Sequence, residues 1–199
     1  MRWDLLFDDL ESQIDQERRD EERALALEEE RLRLARLTLR DRIIALVRSG
    51  EGDPQAIRVE LLGGIELRLR PLAFGRDWMS ADLDAAGRGP GQCLVPLGAI
   101  AAVLPSRSQV PASLAAAPEA SGRLSERIGL PFVLRDLCRR RLPVHVTTSD
   151  ARIVHGTIDR VARDHVDLAV HEPGTPRRDR DVRGIRIVPI AQIVLVTFD

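Results

Sequence analysis

Arginine is the residue type in this chain with the greatest capacity for binding chemistry. The 199 residues contain 30 Lys and Arg in total, and every one of them is Arg. Guanidinium groups bind phosphates and carboxylates through paired hydrogen bonds, so clustered arginines indicate either an anion site or an ion-paired surface. The densest clusters fall in the last third of the chain and comprise Arg139, Arg140, Arg141, Arg177, Arg178, Arg180 and Arg183.

A solvated surface is the better interpretation of these arginines. Residues 139–141 fall at the predicted C-terminus of a short helix, where the helix dipole favours cations. Asp179 and Asp181 interrupt the second cluster. The net charge of the chain is −1, which argues against a general nucleic-acid or membrane binder.

Histidine and cysteine, the usual metal ligands and nucleophiles, form no recognisable motif here. Their spacing matches no zinc site, and we expect the strands to spread the histidines over different faces. No nucleophile elbow, phosphate loop or glycine fingerprint occurs. We therefore predict a protein that is not an enzyme, with no catalytic residue, cofactor, metal or small-molecule substrate. The residues concerned are His145, His155, His165, His171, Cys93 and Cys138.

Composition indicates a folded protein with an aliphatic core. The chain is 44% hydrophobic but has only two Trp, four Phe and no Tyr, so Leu, Ile, Val and Ala must fill the core. The N-terminus is acidic and lacks the apolar region of a signal peptide. No run reaches the ~18 apolar residues of a membrane span. We expect a cytoplasmic protein with reduced thiols.

Residues 1–50 are predicted to form a long helix and a possible coiled coil. They lack Gly and Pro before Gly50 and are rich in Leu, Ala, Glu and Arg. Aromatic and aliphatic side chains recur at spacings of 4, 3 and 4 near the start, which places them on one helix face. We predict that this face binds a protein partner or a second copy; the alternative is that it packs on the rest of the chain. The face consists of Trp3, Phe7, Leu10 and Ile14.

A second row of leucines follows at spacings of seven. It is a weak dimer seam, because Glu29 and Arg36 occupy the alternate heptad positions. A helix that lies on its own domain is equally compatible with the row. Its members are Leu25, Leu32, Leu39 and Leu46.

From Ile57 onward the hydrophobic pattern changes to a period of two and repeats itself. Val59 aligns with Val146, and the register holds without a gap through Leu83 and Val170. A segment of Ala, Ser and Pro, residues 105–120, separates the copies and reads as a flexible linker. We predict one domain over 51–104 and a second, with a short leading helix, over 121–199.

The second copy resembles the Sm/LSm family of small barrels. The segment SDARIVHGTIDRVARDHVDLAVH is similar to the first motif of that family, and DVRGIRIVPI is similar to the second. The first copy is similar but lacks the Arg-Gly pair before LVPL. The resemblance implies a mainly β protein with α: a long N-terminal helix followed by two tandem Sm-like, SH3-type barrels of five strands each.

The resemblance also implies where an RNA base would bind. In the family an Asn and an Arg-Gly pair hold the base while a neighbouring side chain stacks on it. Arg183-Gly184 matches the pair and His165 or Trp78 the stacking position, but Asp167 stands where the Asn is expected. A carboxylate there repels the nucleic-acid backbone.

Two functions remain open at this point. The first is a non-enzymatic adaptor or regulatory protein that binds partner proteins through its N-terminal helix and barrel surfaces. The second is an Sm-like RNA-binding protein that acts through the arginines of the second barrel. For the latter we expect weak, salt-sensitive binding.

Deletion of residues 1–20 tests the role of the N-terminal face. We expect the melting temperature to hold while self-association or capture of a protein partner is lost, since the deleted side chains would contact another chain. Calorimetry and light scattering measure the two effects. If stability falls by several degrees and association is unchanged, the face packs within the chain.

Overall fold

The computed structural model describes residues 3–49, 56–83, 91–115, 127–175 and 177–198, apart from the side chains of residues 3–11 and 49. Its architecture is mixed α/β, with a long N-terminal helix and one open antiparallel sheet of ten strands. The chain has two compact units, Met1–Arg42 and Ile43–Asp199.

The predicted N-terminal helix is divided in two. Helix α1 spans Trp3–Arg36 and helix α2 spans Leu39–Ser49. Between them, Thr38 Oγ1 accepts a hydrogen bond from the Asp41 N–H at 3.1 Å, and the Asp41 carboxylate accepts one from the Thr38 N–H at 3.3 Å. This reciprocal pattern is a capping box, which starts a new helix at Thr38.

The leucine row at spacings of seven does not share one environment. Leu25, Leu32 and Leu39 are exposed, whereas Leu46 is buried. The row therefore stays exposed up to the first residue of α2, Leu39, and becomes buried only at Leu46.

The described residues after α2 supply ten strands and two further α-helices. The first five strands are β1 (Ile57–Leu61), β2 (Ile65–Phe74), β3 (Trp78–Leu83), β4 (Gly91–Pro96) and β5 (Ile100–Val103). Helices α3 (Gln109–Ser113) and α4 (Leu130–Arg140) follow. The last five strands are β6 (Pro143–Thr148), β7 (Ile153–Val161), β8 (His165–Val170), β9 (Gly184–Pro189) and β10 (Ile193–Phe198).

The strand order is β5-β1-β2-β3-β4-β10-β6-β7-β8-β9, so each half of the sheet has the same order. Residue pairs match at equivalent positions: Val59 lies opposite Leu67, and Val146 opposite Val154. The register also shifts at equivalent positions, between Pro71 and Ala73 in β2 and between Ile158 and Arg160 in β7. The halves form one continuous sheet rather than two separate sheets, because β4 pairs with β10.

Two apolar clusters fill the core, one for each half. The first contains Ile43 and Leu46 of α2, and the second contains Leu134 and Leu137 of α4. Each cluster also includes side chains from the other half. Val194 and Leu195 of β10 join the first cluster, and Trp78 and Leu94 join the second.

The predicted linker is partly structured in the region that the structure describes. Helix α3 lies within it, and Ser113 is buried with its hydroxyl donating to the Val110 carbonyl at 2.7 Å. Residues 116–120 of the predicted linker lie outside the described part.

Reciprocal substitutions at two equivalent turn positions should change stability in opposite directions. Ala151 has φ +61°, and its equivalent Gly64 has φ +74° with open space where a Cβ would stand. A left-handed backbone costs about 1 kcal/mol for a residue with a Cβ. We expect Ala151→Gly to raise the free energy of unfolding by about 1 kcal/mol, and Gly64→Ala to lower it by about the same amount. Urea denaturation measures both, and a loss of stability in Ala151→Gly would contradict the turn geometry.

Candidate functional site

Strand β4 is the last strand of the first half of the sheet, and its outer edge is covered by β10. The strands run antiparallel, with Leu94 opposite Val196 and Cys93 opposite Thr197. Leu94 is only 2% exposed, because its side chain packs into the second apolar cluster. We call this pairing the junction.

The segment that leads into α4 strengthens the junction. The Trp78 indole N–H donates to the Ile128 carbonyl at 2.9 Å, and the Leu130 N–H donates to the Asp77 carboxylate at 2.7 Å. Trp78 is buried in the second cluster. The outward face of β3 and β4 is therefore covered by the second half of the chain.

Strand β9 is the equivalent of β4, but its edge is open. Within the described residues, β9 pairs only with β8. Ile187, which is equivalent to Leu94, is 69% exposed, and Ile185 is 54% exposed. Two large aliphatic side chains thus lie exposed on a strand at the end of the sheet.

The backbone of β9 is oriented for further pairing. The Ile190 N–H donates to the Asp164 carbonyl at 2.8 Å, which makes His165 and Pro189 a non-hydrogen-bonded pair. In an antiparallel ladder such pairs alternate with hydrogen-bonded ones. The N–H and C=O groups of Ile187 and Ile185 therefore point away from β8, toward the open side.

The predicted base-binding residues surround this edge. Asp167 lies opposite Ile187 on β8, and His165 lies two residues away on the same face. Asp167 is within 3.6 Å of Arg160, and the His165 ring contacts Asp164 at 2.7 Å. Gly184 begins β9 opposite Val170. The region combines a carboxylate with apolar side chains, which suits a polypeptide better than a phosphate backbone.

Most of the predicted basic residues are matched by carboxylates. Arg177 donates to both oxygens of Asp159, at 2.9 and 2.7 Å, and to Asp179 at 2.6 Å. These hydrogen bonds raise the pKa of the Arg177 guanidinium. Four further arginines lie within ion-pair distance of an acid; the pairs are Arg139 and Arg140 with Asp136, Arg180 with Asp181, and Arg183 with Glu172.

Cys138, which precedes the first arginine cluster, and Arg177 of the second cluster both contact Asp159. The Cys138 thiol, near the end of α4, donates to the Asp159 carbonyl at 3.4 Å, while Arg177 binds the Asp159 carboxylate. Arg141 ends α4 in a left-handed conformation with φ +53°. Arg178 is exposed. The basic region is therefore a mixed-charge surface.

Three histidines are grouped, contrary to the expectation that they spread over different faces. His145 and His155 lie opposite each other on β6 and β7, with ring nitrogens 3.2 Å apart. The His171 ring is 5.0 Å from that of His155 and its Nε2 lies 2.8 Å from the Thr157 hydroxyl. The equal distance of His145 and His155 from the turn at residue 150 was the missed sequence signal. Among the described residues, no group of His, Cys, Asp and Glu is arranged to hold a metal.

The predicted N-terminal binding face is only partly described. The side chains of Trp3, Phe7 and Leu10 lie outside the described residues, whereas Ile14 is exposed. Of the helices that the structure describes, none is long and apolar enough to span a membrane.

Comparison with known proteins gives no relative. No family model, no curated protein and no solved structure matches this chain.

Cysteine labelling should report on the junction. Cys93 is fully buried in β4, and this burial raises the pKa of its thiol from 9.0 to about 12. The thiolate, which is the reactive form, is then about 1,000-fold scarcer than in the unfolded chain. We expect a thiol reagent to modify half-buried Cys138 first in native protein, and both cysteines in urea. Mass spectrometry of peptides over time measures this, and equal native rates would contradict a closed junction.

Proposed function

We propose that this chain is a non-enzymatic adaptor that binds other protein chains, with the edge of β9 as its principal binding site. The observation that carries the proposal is the contrast between Ile187 and Leu94. These residues occupy equivalent positions, yet one is 69% and the other 2% exposed. The same kind of edge is thus covered in one half of the sheet and open in the other.

An added strand would gain both main-chain and side-chain interactions at β9. The outward N–H and C=O groups of Ile185 and Ile187 supply the hydrogen bonds of a new ladder. Full burial of an Ile side chain contributes about 1.5–3 kcal/mol. Two such side chains contribute about 3–6 kcal/mol, which adds to the main-chain hydrogen bonds in offsetting the cost of association.

Helix α1 is the second proposed binding surface. It exposes several aliphatic side chains along its length, of the kind that an amphipathic helix presents to a groove or another helix. They are Ile14, Leu25, Leu27, Leu32 and Leu34. The face with Trp3, Phe7 and Leu10 is part of the same proposal.

We further propose that each half of the sheet is a small bent barrel of the Sm-like type. The equivalent register shifts in β2 and β7 support this, since such irregularities bend strands. Gly156 supports it as well. A Cβ at Gly156 would stand 2.2 Å from the Ala169 carbonyl oxygen, so β7 and β8 approach more closely than a side chain allows.

RNA binding, the alternative function, has less support. Five of the seven clustered arginines are within ion-pair distance of carboxylates. Neutralised cations release fewer counterions from a phosphate backbone and contribute less affinity. At the position where the base would bind stands Asp167, which is within ion-pair distance of Arg160 and so competes with a phosphate for that cation.

A capture experiment with matched variants tests the adaptor function. The bait is the full chain, compared with Ile187→Asp and with Ile153→Asp. Ile153 is a suitable control because it is 67% exposed but lies on β7, opposite Thr147 of β6, and not on β9. We expect Ile187→Asp to lose partner proteins from a lysate of the native cell, and Ile153→Asp to retain them, with or without nuclease.

Two outcomes would count against the proposal. Equal capture by both variants would exclude the β9 edge as the binding site. Loss of all partners after nuclease treatment, together with uridine-selective RNA binding at physiological salt, would favour the RNA alternative. In that case Arg183→Ala should weaken RNA binding most.

A further inference from the structure

We infer that helix α1 binds α1 of a second copy of this chain as an antiparallel pair, with the two helices overlapping along their full length. The inference rests on the proposed function and names the occupant of its second binding surface. The exposed apolar side chains of α1, the distribution of its charges and its length together identify that occupant.

Large aliphatic side chains form a stripe along one face of α1. Ile14, Leu25 and Leu32 are separated by 11 and 7 residues, which in a helix of 3.6 residues per turn places them within about 20° of each other. They are 60%, 64% and 51% exposed. By their spacing, the large apolar residues of the first turns fall on the same face; they are Trp3, Phe7 and Leu10. We call these six residues the α1 stripe.

Charged residues border the α1 stripe without closing it. Glu29 lies about 60° round the helix axis from Ile14, so its carboxylate can stay in water when the stripe is covered. On the other border Glu28 lies about 40° from Ile14, and its carboxylate is 3.5 Å from the guanidinium of Arg31. Arg36 stands in the last turn, where it would meet only the first turn of an antiparallel helix.

The charges of α1 are distributed unevenly along the helix and favour antiparallel over parallel pairing. Residues 3–17 contain six acidic residues and no arginine, whereas all six arginines of α1 lie in residues 18–36. Parallel helices in register would place the two acidic segments side by side, and like charges across an interface oppose association. Antiparallel helices place each acidic segment beside residues 22–36, which contain four acids and four arginines.

The length of α1 and the positions of its apolar side chains specify the same register. When two antiparallel helices that each span Trp3–Arg36 overlap completely, the numbers of residues at equal height add up to 39. Ile14 then lies at the height of Leu25 of the second copy, and Phe7 at the height of Leu32. Each pair occurs twice, because the arrangement has a twofold axis.

A pair of opposite charges falls at the centre of this register. Arg18 lies at the height of Glu21 of the second copy, and the two residues stand about 40° and 20° to either side of Ile14. Within its own helix Arg18 is 3.9 Å from Glu22. A charged pair at such a position adds little affinity but specifies orientation and register, because a parallel pair would bring Arg18 against Arg18.

Sedimentation velocity over a concentration series, with two matched leucine variants, tests the dimer. Leu25 and Leu27 are 64% and 62% exposed on the same helix, but Leu27 lies about 200° round the axis from Leu25. We expect the wild-type chain to dimerise and Leu25→Glu to raise the Kd at least about tenfold, since both copies carry the change. Leu27→Glu should behave as wild type, and circular dichroism checks that both variants stay helical.

Three results of this experiment would overturn the inference. They are a monomer at all concentrations, equal effects of Leu25→Glu and Leu27→Glu, and association that Ile187→Asp abolishes while Leu25→Glu leaves it unchanged.

Exchange of the central charges tests the orientation. Arg18→Glu alone and Glu21→Arg alone each place like charges at equal height in the antiparallel pair, so each should weaken the dimer about threefold or more. The chain that carries both substitutions regains opposite charges and should dimerise as the wild type does. A double variant that associates no better than the single ones would contradict the antiparallel arrangement.

Disulfide trapping tests the register. Cys93 is fully buried, so the background needs only Cys138→Ser. Ile14→Cys and Leu25→Cys chains are then mixed under oxidised glutathione, and we expect a covalent dimer only in the mixture. A dimer of Leu25→Cys alone would show parallel helices, and no dimer in the mixture would exclude the register; either result overturns the inference.

This inference and the proposed function can fail separately. If the chain stays monomeric while Ile187→Asp loses captured partners, the adaptor function holds and a second copy is excluded as the occupant of α1. If the dimer depends on Leu25 while Ile187→Asp retains all captured partners, the β9 edge is excluded and the α1 pair holds. If neither dependence is found, both proposals are wrong.

Discussion

The antiparallel pairing of β4 with β10 is the interaction on which the rest of the structure depends. It joins the two halves into one sheet and brings Leu94 and Trp78 into the second apolar cluster. It also brings Val194 and Leu195 into the first cluster. Without this pairing each half would expose those side chains and one more strand edge. The pairing therefore contributes to both cores at once, and the halves share their stability.

The same pairing makes the equivalent strands of the two halves differ in their surroundings, and the proposed function depends on this difference. Two halves with equivalent registers end in different environments: β4 and β10 are interior strands, while β9 and β5 are the ends of the sheet. Open edges are normally protected by charge, proline or bulges. Pro105 follows β5, and Arg186 stands in β9, but the isoleucines on either side of Arg186 remain exposed. This apolar open edge is the feature on which the proposed binding function rests.

Charge limits the kinds of partner that fit. The arginines that stand out in the sequence are largely held by nearby acids, as Arg177 is by Asp159 and Asp179. Local compensation of this kind keeps the surface polar without making it a strong phosphate site. The exposed strand, its backbone orientation and its apolar side chains support the proposed function.

Sequence alone determined the local features of this protein. The period of two, the helical N-terminus and the register of the repeat are encoded by neighbouring residues, so they could be predicted. The break at Thr38 has an equally local signal in its capping box with Asp41, as does the alignment of His145 with His155 across a hairpin turn. Tertiary structure decided the rest. Strands β4 and β10 are about 100 residues apart, and nothing in either segment specifies the other as its neighbour. The pairing of β4 with β10 buries Leu94, whereas Ile187 on the unpaired edge of β9 stays exposed. Burial of these two aliphatic residues depends on which surfaces meet after folding and not on residue type.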